Sequence, residues 1–506
     1  MTRSNLVRSR NGGVVPLDEL PSLDYPRFSE LLLAEVAANA RVASYFGRPV
    51  EDELELYAIL IRDWEGEVDV LRTRVNGSFP SLTSQCPQLH LFERELAEQY
   101  GVRPEGHPWL KPVRFHAPWI DAADIWERPP GVHPVPGDME FYRVEGEEVH
   151  EVAVGPVHAG VIEPGHFRFQ CHGEEVMHLE ISLGFQHRDI ERMLIGGPHP
   201  TSIYQLETVA GDTTIGHVTA YCQLIESLAG IEAPVRAQAI RAIALELERL
   251  ANHVGDIGAL AGDVGFLPTA SFCGRLRGDY LNLMAELCGS RFGRGLVRPG
   301  RVQFDVNASL VEKLLQRLAI LETETRGAIE LCFDSPSVLA RFEGTGTLSI
   351  DDAETLGLVG VAARACGLIR DARLHHAFGS GGTLFDTPII EIDGDIFART
   401  NIRRREIYAS HKLIHRSLKR LAAGEIRSPL GALTPDSLVV SLCEGWRGEV
   451  VHVAITDATG QLDRYKIVDP SFHNWSGLAL SLRGQQISDF PLCNKSFNLS
   501  YCGVDL

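Results

Sequence analysis

No two of the ten cysteines stand in a C-x-x-C pair. Structural zinc sites are built from such pairs, so no zinc signature is present. Long apolar runs are also lacking. A span of about 20 apolar residues is needed to cross a bilayer, and no stretch approaches it. Positive charge is scarce: 48 Lys and Arg against 67 Asp and Glu give a net charge of −19. That excludes the basic face which nucleic acid demands and opposes direct adhesion to an anionic membrane surface. A secretory leader is not expected either. MTRSNLVRSRNGGVV carries arginines with no apolar core behind them, so the chain is expected in the cytoplasm with its cysteines reduced. No G-x-G-x-x-G occurs in strand-to-helix context. The Gly379–Thr383 stretch, GSGGT, lacks that spacing, so no NAD site is expected on this chain.

What is present describes a protein of more than one domain, since 506 residues exceed the roughly 100–200 typical of one domain. Residues 1–126 read as a small α/β unit. Pro26 to Phe46 has helical apolar spacing. Leu54 to Arg62 and Glu67 to Arg72 read as strands around a turn at Asp63 to Gly66. Residues 127–148 form a Pro/Gly-rich linker. Residues 149–506 make the main domain, with a β-rich start from Val149 to Ile181. Helices are predicted over Thr201 to Ala229, Arg236 to Gly262, Arg275 to Phe292, Val311 to Phe333 and Arg399 to Ala422. Pro234 precedes the second of these, where its missing N–H costs nothing. A second β-rich segment, Ser437 to Ile467, contains a hairpin around Gly448. The expected class is α+β, with a central bundle of long helices and flanking β segments.

Several motifs carry a family resemblance. FPSLT (Phe79 to Thr83), FERE (Phe92 to Glu95), a turn at Gly101 and PEGHP (Pro104 to Pro108) resemble the 30-kDa accessory subunit of respiratory complex I. That subunit is fused to its larger neighbour in formate-hydrogenlyase-type enzymes. The family keeps an acid where Gln99 stands. The Glu93, Arg94 and Glu95 side chains fit either a solvated helix face or an interface. GPVHAGVIEPGHFRF (Gly155 to Phe169), LGFQHRDIERM (Leu183 to Met193), the block from Thr219 to Asp305, and the stretches Glu343 to Arg373 and Gly394 to Ile407 resemble a second family. So does the C-terminal DFPLCNKSFNLSYCGVDL (Asp489 to Leu506). This is the large subunit of membrane-bound nickel–iron hydrogenases and its descendant, the 49-kDa quinone-site subunit of complex I.

The hydrogenase members hold nickel and iron with four cysteines, one C-x-x-C near each end. Register with LETVAGDTTIGHVTAY (Leu206 to Tyr221), anchored on His217 and Tyr221, places Ala210 and Thr213 at the first two positions. At the C-terminus the positions fall on Ser500 and Gly503, with Cys493 and Cys502 out of register. Nickel needs soft thiolates, so the resemblance implies no nickel, no metal ligands and no cofactor held by this chain. It also implies that no C-terminal peptide is removed on maturation.

In the complex I branch a tyrosine and a histidine grip the quinone. Register gives Tyr221, whose phenol can donate a hydrogen bond and later a proton. The pattern G-P-x-H-P-x-x-H matches His158 at its first histidine and puts Ile162 at its second. His166 is nearby as a substitute. Asp263 aligns with an acid near the quinone pocket; read alone, it equally marks a helix stop. His187 and Arg188 face the cluster side in this family. The resemblance implies a proton relay at Glu191, and burial beside a cluster raises a carboxylate's pKa. An interface ion pair is the other reading of Glu191, with Arg188 on the same helical face. Glu226, Arg364, Asp371 and Arg373 read as ion pairs between helices.

Together these features imply the large redox subunit of a membrane-associated, complex-I-like or formate-hydrogenlyase-like oxidoreductase. Electrons would come from an iron–sulfur cluster in a hydrogenase-small-subunit-like partner. They would reach an acceptor, quinone being the candidate, in a cavity at the subunit interface. A ferredoxin-like subunit and integral membrane subunits complete the expected partners, holding the chain peripherally at the cytoplasmic face. A non-catalytic scaffold and a working nickel–iron hydrogenase are the alternatives; the cysteine pattern opposes the second.

Overall fold

The computed structural model describes residues 6–120, 124–129, 132, 134–158, 162–378 and 387–506. The glycine-rich Gly379–Thr383 stretch lies outside them. Antiparallel strands Arg41–Val50, Glu53–Arg62 and Glu67–Val75 form the N-terminal sheet, with Arg62 opposite Glu67 across the expected turn. The helix predicted from Pro26 to Phe46 is only half right. It runs Tyr25–Ala37, started by Asp24 accepting from the Arg27 N–H at 2.8 Å, and then breaks. Asn39 takes φ 68°, a left-handed conformation that asparagine tolerates at helix ends. The β-branched and aromatic residues of RVASYF then favour a strand.

The helix His90–Tyr100 ends at Gly101 with φ 65°. Every residue from Phe92 to Tyr100 is buried, which excludes a solvated face for Glu93, Arg94 and Glu95. The cause is a second layer: Phe92 meets Phe472 of the C-terminal half with ring centroids 4.8 Å apart. Glu93 is satisfied locally, by the Leu82 N–H at 2.8 Å and the Thr83 hydroxyl at 2.7 Å.

The main domain opens with a three-stranded sheet, Val149–Val154, His166–His172 and Glu175–Ser182. The helix expected over Thr201 to Ala229 is two, Ser202–Leu206 and Thr214–Leu228. Long helices Val235–Asp263, Leu267–Cys288, Ala308–Phe333 and Ile396–Lys419 build the bundle, with Val235–Asp263 packed on both Leu267–Cys288 and Ile396–Lys419. Strands Ser437–Glu444, Glu449–Thr456 and Leu462–Val468 form the C-terminal sheet, and its hairpin turns between Glu444 and Glu449 as expected. A fourth strand comes from the far end of the chain: Val14–Pro16 pairs with Ser437, Leu438 and Val439. The two units therefore share a sheet as well as a continuous apolar core. Among the described residues no helix is long and apolar enough to cross a membrane.

Candidate functional site

The helix Thr214–Leu228 packs its buried length on the first two strands of the C-terminal sheet. Its first turn offers unpaired backbone N–H groups, as every helix start does. Glu248 accepts two of them, from Ile215 at 2.7 Å and Gly216 at 3.2 Å. Burial, with Asp212 nearby, pushes the Glu248 carboxyl up to about 8 against offsetting hydrogen bonds. A carboxyl whose pKa rises on folding stabilises the fold fully below its unfolded value of 4.5. That contribution is lost as pH climbs to about 8, at about 1.4 kcal/mol for each unit of difference. Glu248→Gln should therefore flatten the fall in stability between pH 5 and 8, measured by urea unfolding; an unchanged slope would show that Glu248 stays ionised.

The structure brings together the two segments expected, by register, at the ligand positions of nickel–iron enzymes. Arg447 Nη1 and Nη2 grip Asp212 at 2.6 and 2.8 Å, and Nε donates to the Asn498 carbonyl at 2.5 Å. Arg188 donates to the carbonyls of Val209 at 3.0 Å and Cys502 at 3.4 Å. Two guanidinium groups thus tie residues 209–213 to residues 498–502. At the ligand positions, Ala210 has no donor atom. The Thr213 hydroxyl accepts from Arg447 at 3.1 Å, and the Ser500 hydroxyl accepts from the Gly503 N–H at 2.9 Å. A Cβ on Gly503 would lie 2.8 Å from Asp469 Cγ, leaving no room for a cysteine without movement. Burial pushes the Cys493 thiol, and with Glu163 the Cys502 thiol, to about 12. These residues do not fit a nickel–iron centre.

A buried hydrogen-bonded chain leads away from this place. Asp469 Oδ2 is 3.0 Å from His217 Nε2, His217 Nδ1 is 3.1 Å from His452 Nε2, and His452 Nδ1 is 2.7 Å from the Tyr465 hydroxyl. All four residues are fully buried. A carboxylate can only accept, so His217 Nε2 carries the proton. The tautomer of His217 then sets which way the protons of His452 and the Tyr465 phenol point. Burial, and then the neighbouring His217, hold His452 well below the ordinary histidine range, so it is neutral. Tyr465 ends the chain against Tyr221, with ring centroids 6.3 Å apart. Of these, sequence reasoning used only His217, as an anchor, and Tyr221. The signal available for His452 was a histidine inside the apolar strand EVVHVAIT.

The remaining expected site residues make no direct contact with Tyr221 among the described residues. His158 and His166 are close enough for their charges to interact and sit on the hairpin around Gly155 and Gly165. His158 packs on Phe167 at 5.7 Å and His166 on Phe141 at 5.2 Å. Asp263 is the exposed last residue of its helix, with Lys495 nearby. No hydrogen bond, ion pair or ring contact among the described residues joins Tyr221 to either histidine or to Asp263. Ile162 is exposed.

The HRxxE motif departs from expectation. Its helix begins only at Ile190, and Arg188 and Glu191 do not pair. Glu191 instead accepts from Lys466 Nζ at 2.9 Å, Arg464 at 3.2 Å and the Ile467 N–H at 3.0 Å. Lys466 also binds Glu95 of the N-terminal unit at 2.6 Å, and Glu95 pairs with Arg114. Burial would raise the Glu191 carboxyl, but Lys466, Arg464 and Arg114 outweigh it and hold it down at about 2. The raised pKa expected from the sequence is thus reversed. His187 faces the chain's own C-terminal segment, 3.0 Å from the Asp505 carbonyl, and stacks on His116 at 4.6 Å.

The four residues expected to make ion pairs between helices do so. Glu226 binds Arg241 at 2.6 Å. Arg364 reaches Asp371 at 3.2 Å, Glu406 at 3.0 Å and Glu444 at 2.8 Å, and Arg373 joins the same cluster through Asp371 at 2.6 Å.

A bundle of long helices with flanking sheets, joined to a small α/β unit, defines a large subunit of the complex I and nickel–iron hydrogenase class. Comparison with known proteins agrees. Residues 28–129 match the family described as respiratory-chain NADH dehydrogenase, 30 Kd subunit, and residues 263–437 match its 49 Kd subunit. Formate hydrogenlyase subunit 5 of Escherichia coli is 28% identical over 439 residues, covering 84% of this chain and 77% of that protein. The C/D subunit of the NADH-quinone oxidoreductase of Phocaeicola vulgatus is 26% identical over 399 residues, covering 74% and 77%. An F(420)H(2) dehydrogenase subunit of Methanosarcina mazei is 30% identical over 325 residues, covering 63% of this chain and 84% of that protein. The chain belongs to the complex I 30-kDa and 49-kDa subunit family, with both units fused in one polypeptide. It is an oxidoreductase subunit of a multisubunit complex.

Proposed function

We propose that this chain carries electrons from an iron–sulfur cluster of a hydrogenase-small-subunit-like partner to an acceptor beside Tyr221, quinone being the candidate, without a nickel–iron centre. The observation that carries the proposal is the buried chain from Asp469 through His217 and His452 to Tyr465. Buried polar groups are costly unless fully paired, and this run of histidines and tyrosine consists of groups that can pass a proton and ends against the ring of Tyr221. Two-electron reduction of a quinone consumes two protons. Tyr221 would donate one to the acceptor oxygen and be reprotonated by way of Tyr465 and the histidines, and solvent water would supply the second. Glu191 is a fixed anion in this scheme, binding the small unit to the core. A ferredoxin-like subunit and integral membrane subunits would hold the assembly peripherally at the cytoplasmic face of the membrane.

The scaffold alternative draws on the exposed Ile162 and on the lack of a direct contact between His158 and Tyr221 among the described residues. One preparation of the assembled complex separates the readings. Elemental analysis should find no stoichiometric nickel, and reduction of a short-chain quinone by a low-potential donor should proceed. Tyr221→Phe should slow it by a factor on the order of 100 with assembly intact on a native gel. Stoichiometric nickel would overturn the reading of the ligand positions, and a rate unaffected by Tyr221→Phe would favour the scaffold.

A further inference from the structure

A cavity of about 740 Å³ opens where the small unit meets the main domain. Small-ligand sites are commonly about 300–1,000 Å³, mostly apolar, and placed at domain junctions. Leu91, Trp109, Leu179, Trp475 and Leu480 form its apolar walls. They come from the helix His90–Tyr100, the loop after it, the strand Glu175–Ser182 and the helix Pro470–Ser481.

Two polar groups inside it lack the partner their chemistry favours: Arg94 a carboxylate, and Ser182 any hydrogen bond. Arg94 is only 9% exposed. It donates to the carbonyls of Lys111 at 2.8 Å and Pro112 at 2.7 Å, yet among the described residues no carboxylate pairs with it. The nearest acids are committed elsewhere. Glu180 binds Lys111 at 2.6 Å and the Trp109 indole at 2.8 Å, and Glu98 accepts backbone N–H groups from Val113, Arg114 and Phe115. The Ser182 hydroxyl is buried with no hydrogen-bond partner among the described residues. His90, His178 and Arg483 line the same space. Glu180 and Glu98 offset its burial only from a distance, and a buried guanidinium without a directly paired carboxylate is a costly feature unless something anionic meets it.

We propose that this cavity binds a small amphipathic anion, its apolar chain along Leu91, Leu179 and Trp475 and its carboxylate or phosphate at Arg94 and Ser182. The shared chemistry fits a free fatty acid or the acyl and phosphate parts of a phospholipid. The site is separate from the Tyr221 region and does not depend on the proposed electron path.

The test uses the full chain and the assembled complex. Each is titrated with dodecanoate, dodecyl phosphate and dodecyltrimethylammonium, following tryptophan fluorescence, since Trp109 and Trp475 line the walls. Both anions should give saturable changes, and the cation of equal chain length should bind at least about tenfold more weakly. Ala479→Trp, which fills the cavity from a helix surface, should abolish binding. Arg483→Gln, an exposed rim residue, should weaken it several-fold without altering the fold. Native mass spectrometry of the complex from cells should then find a fatty acid or a phospholipid adduct, which tells the two sources apart. Equal binding of the cation, or binding indifferent to Ala479→Trp, would overturn the proposal. So would an assembled complex that takes up no anion and carries no adduct, because a partner segment would then cover the cavity.

Discussion

Glu191→Gln should cost the folded chain about 3 kcal/mol at neutral pH and loosen the small unit from the main domain. The carboxylate is 1% exposed and meets Lys466, Arg464 and a backbone N–H. Its pKa of about 2, against 4.5 for the free group, corresponds to about 3 kcal/mol at about 1.4 kcal/mol per unit. That agrees with the roughly 3–5 kcal/mol typical of breaking a buried ion pair. It is a large share of a total stability on the order of 5–15 kcal/mol. The pKa is depressed on folding, so this stabilisation is fully present above 4.5 and is lost as pH falls towards 2. Urea unfolding of parent and variant should differ by the full amount at pH 7 and by much less at pH 3. If the variant were as stable as the parent at pH 7 while turnover in the complex fell, Glu191 would be a relay after all.

His452→Gln should slow acceptor reduction by a factor on the order of 100, the scale of lost general acid–base help. Gln can span the gap between His217 and Tyr465 with hydrogen bonds, but it cannot take up a proton at one atom and release one at another. The stability loss should be smaller, about 1–3 kcal/mol for a buried hydrogen-bonded group disturbed. The two effects are read in one preparation, with the pH profile of turnover beside the melting curve. A relay role requires the rate to fall and its pH dependence to change. A variant that melts earlier but turns over at the parental rate would show His452 to be a packing residue.

Much of the architecture was legible because its causes are local. The strand pair around Asp63 to Gly66, the helix start at Pro234 and the hairpin near Gly448 each rest on a turn residue or a cap beside a periodic run. The helix overrun beyond Ala37 was an error of the same kind, since Asn39 was available as a stop. Burial was less legible. Nothing in FERELAEQY says that all of it is inside, because the layer covering its charged face is supplied by Phe472 and by strand residues such as Lys466. A helix between two layers loses its polar face, and amphipathic periodicity then misleads.

The candidate site divides along the same line. The sequence by itself determined the family and the order of the two units, because identity and spacing are properties of the chain alone. Only the tertiary structure decided which charges meet. It turned Arg188 onto the carbonyls of Val209 and Cys502, clamped Glu191 between Lys466 and Arg464, and aligned Asp469, His217, His452 and Tyr465 into one chain. The physical reason is that a buried ionisable group takes its partner and its pKa from whatever packs against it. Here those partners come from strands and loops hundreds of residues away in the chain.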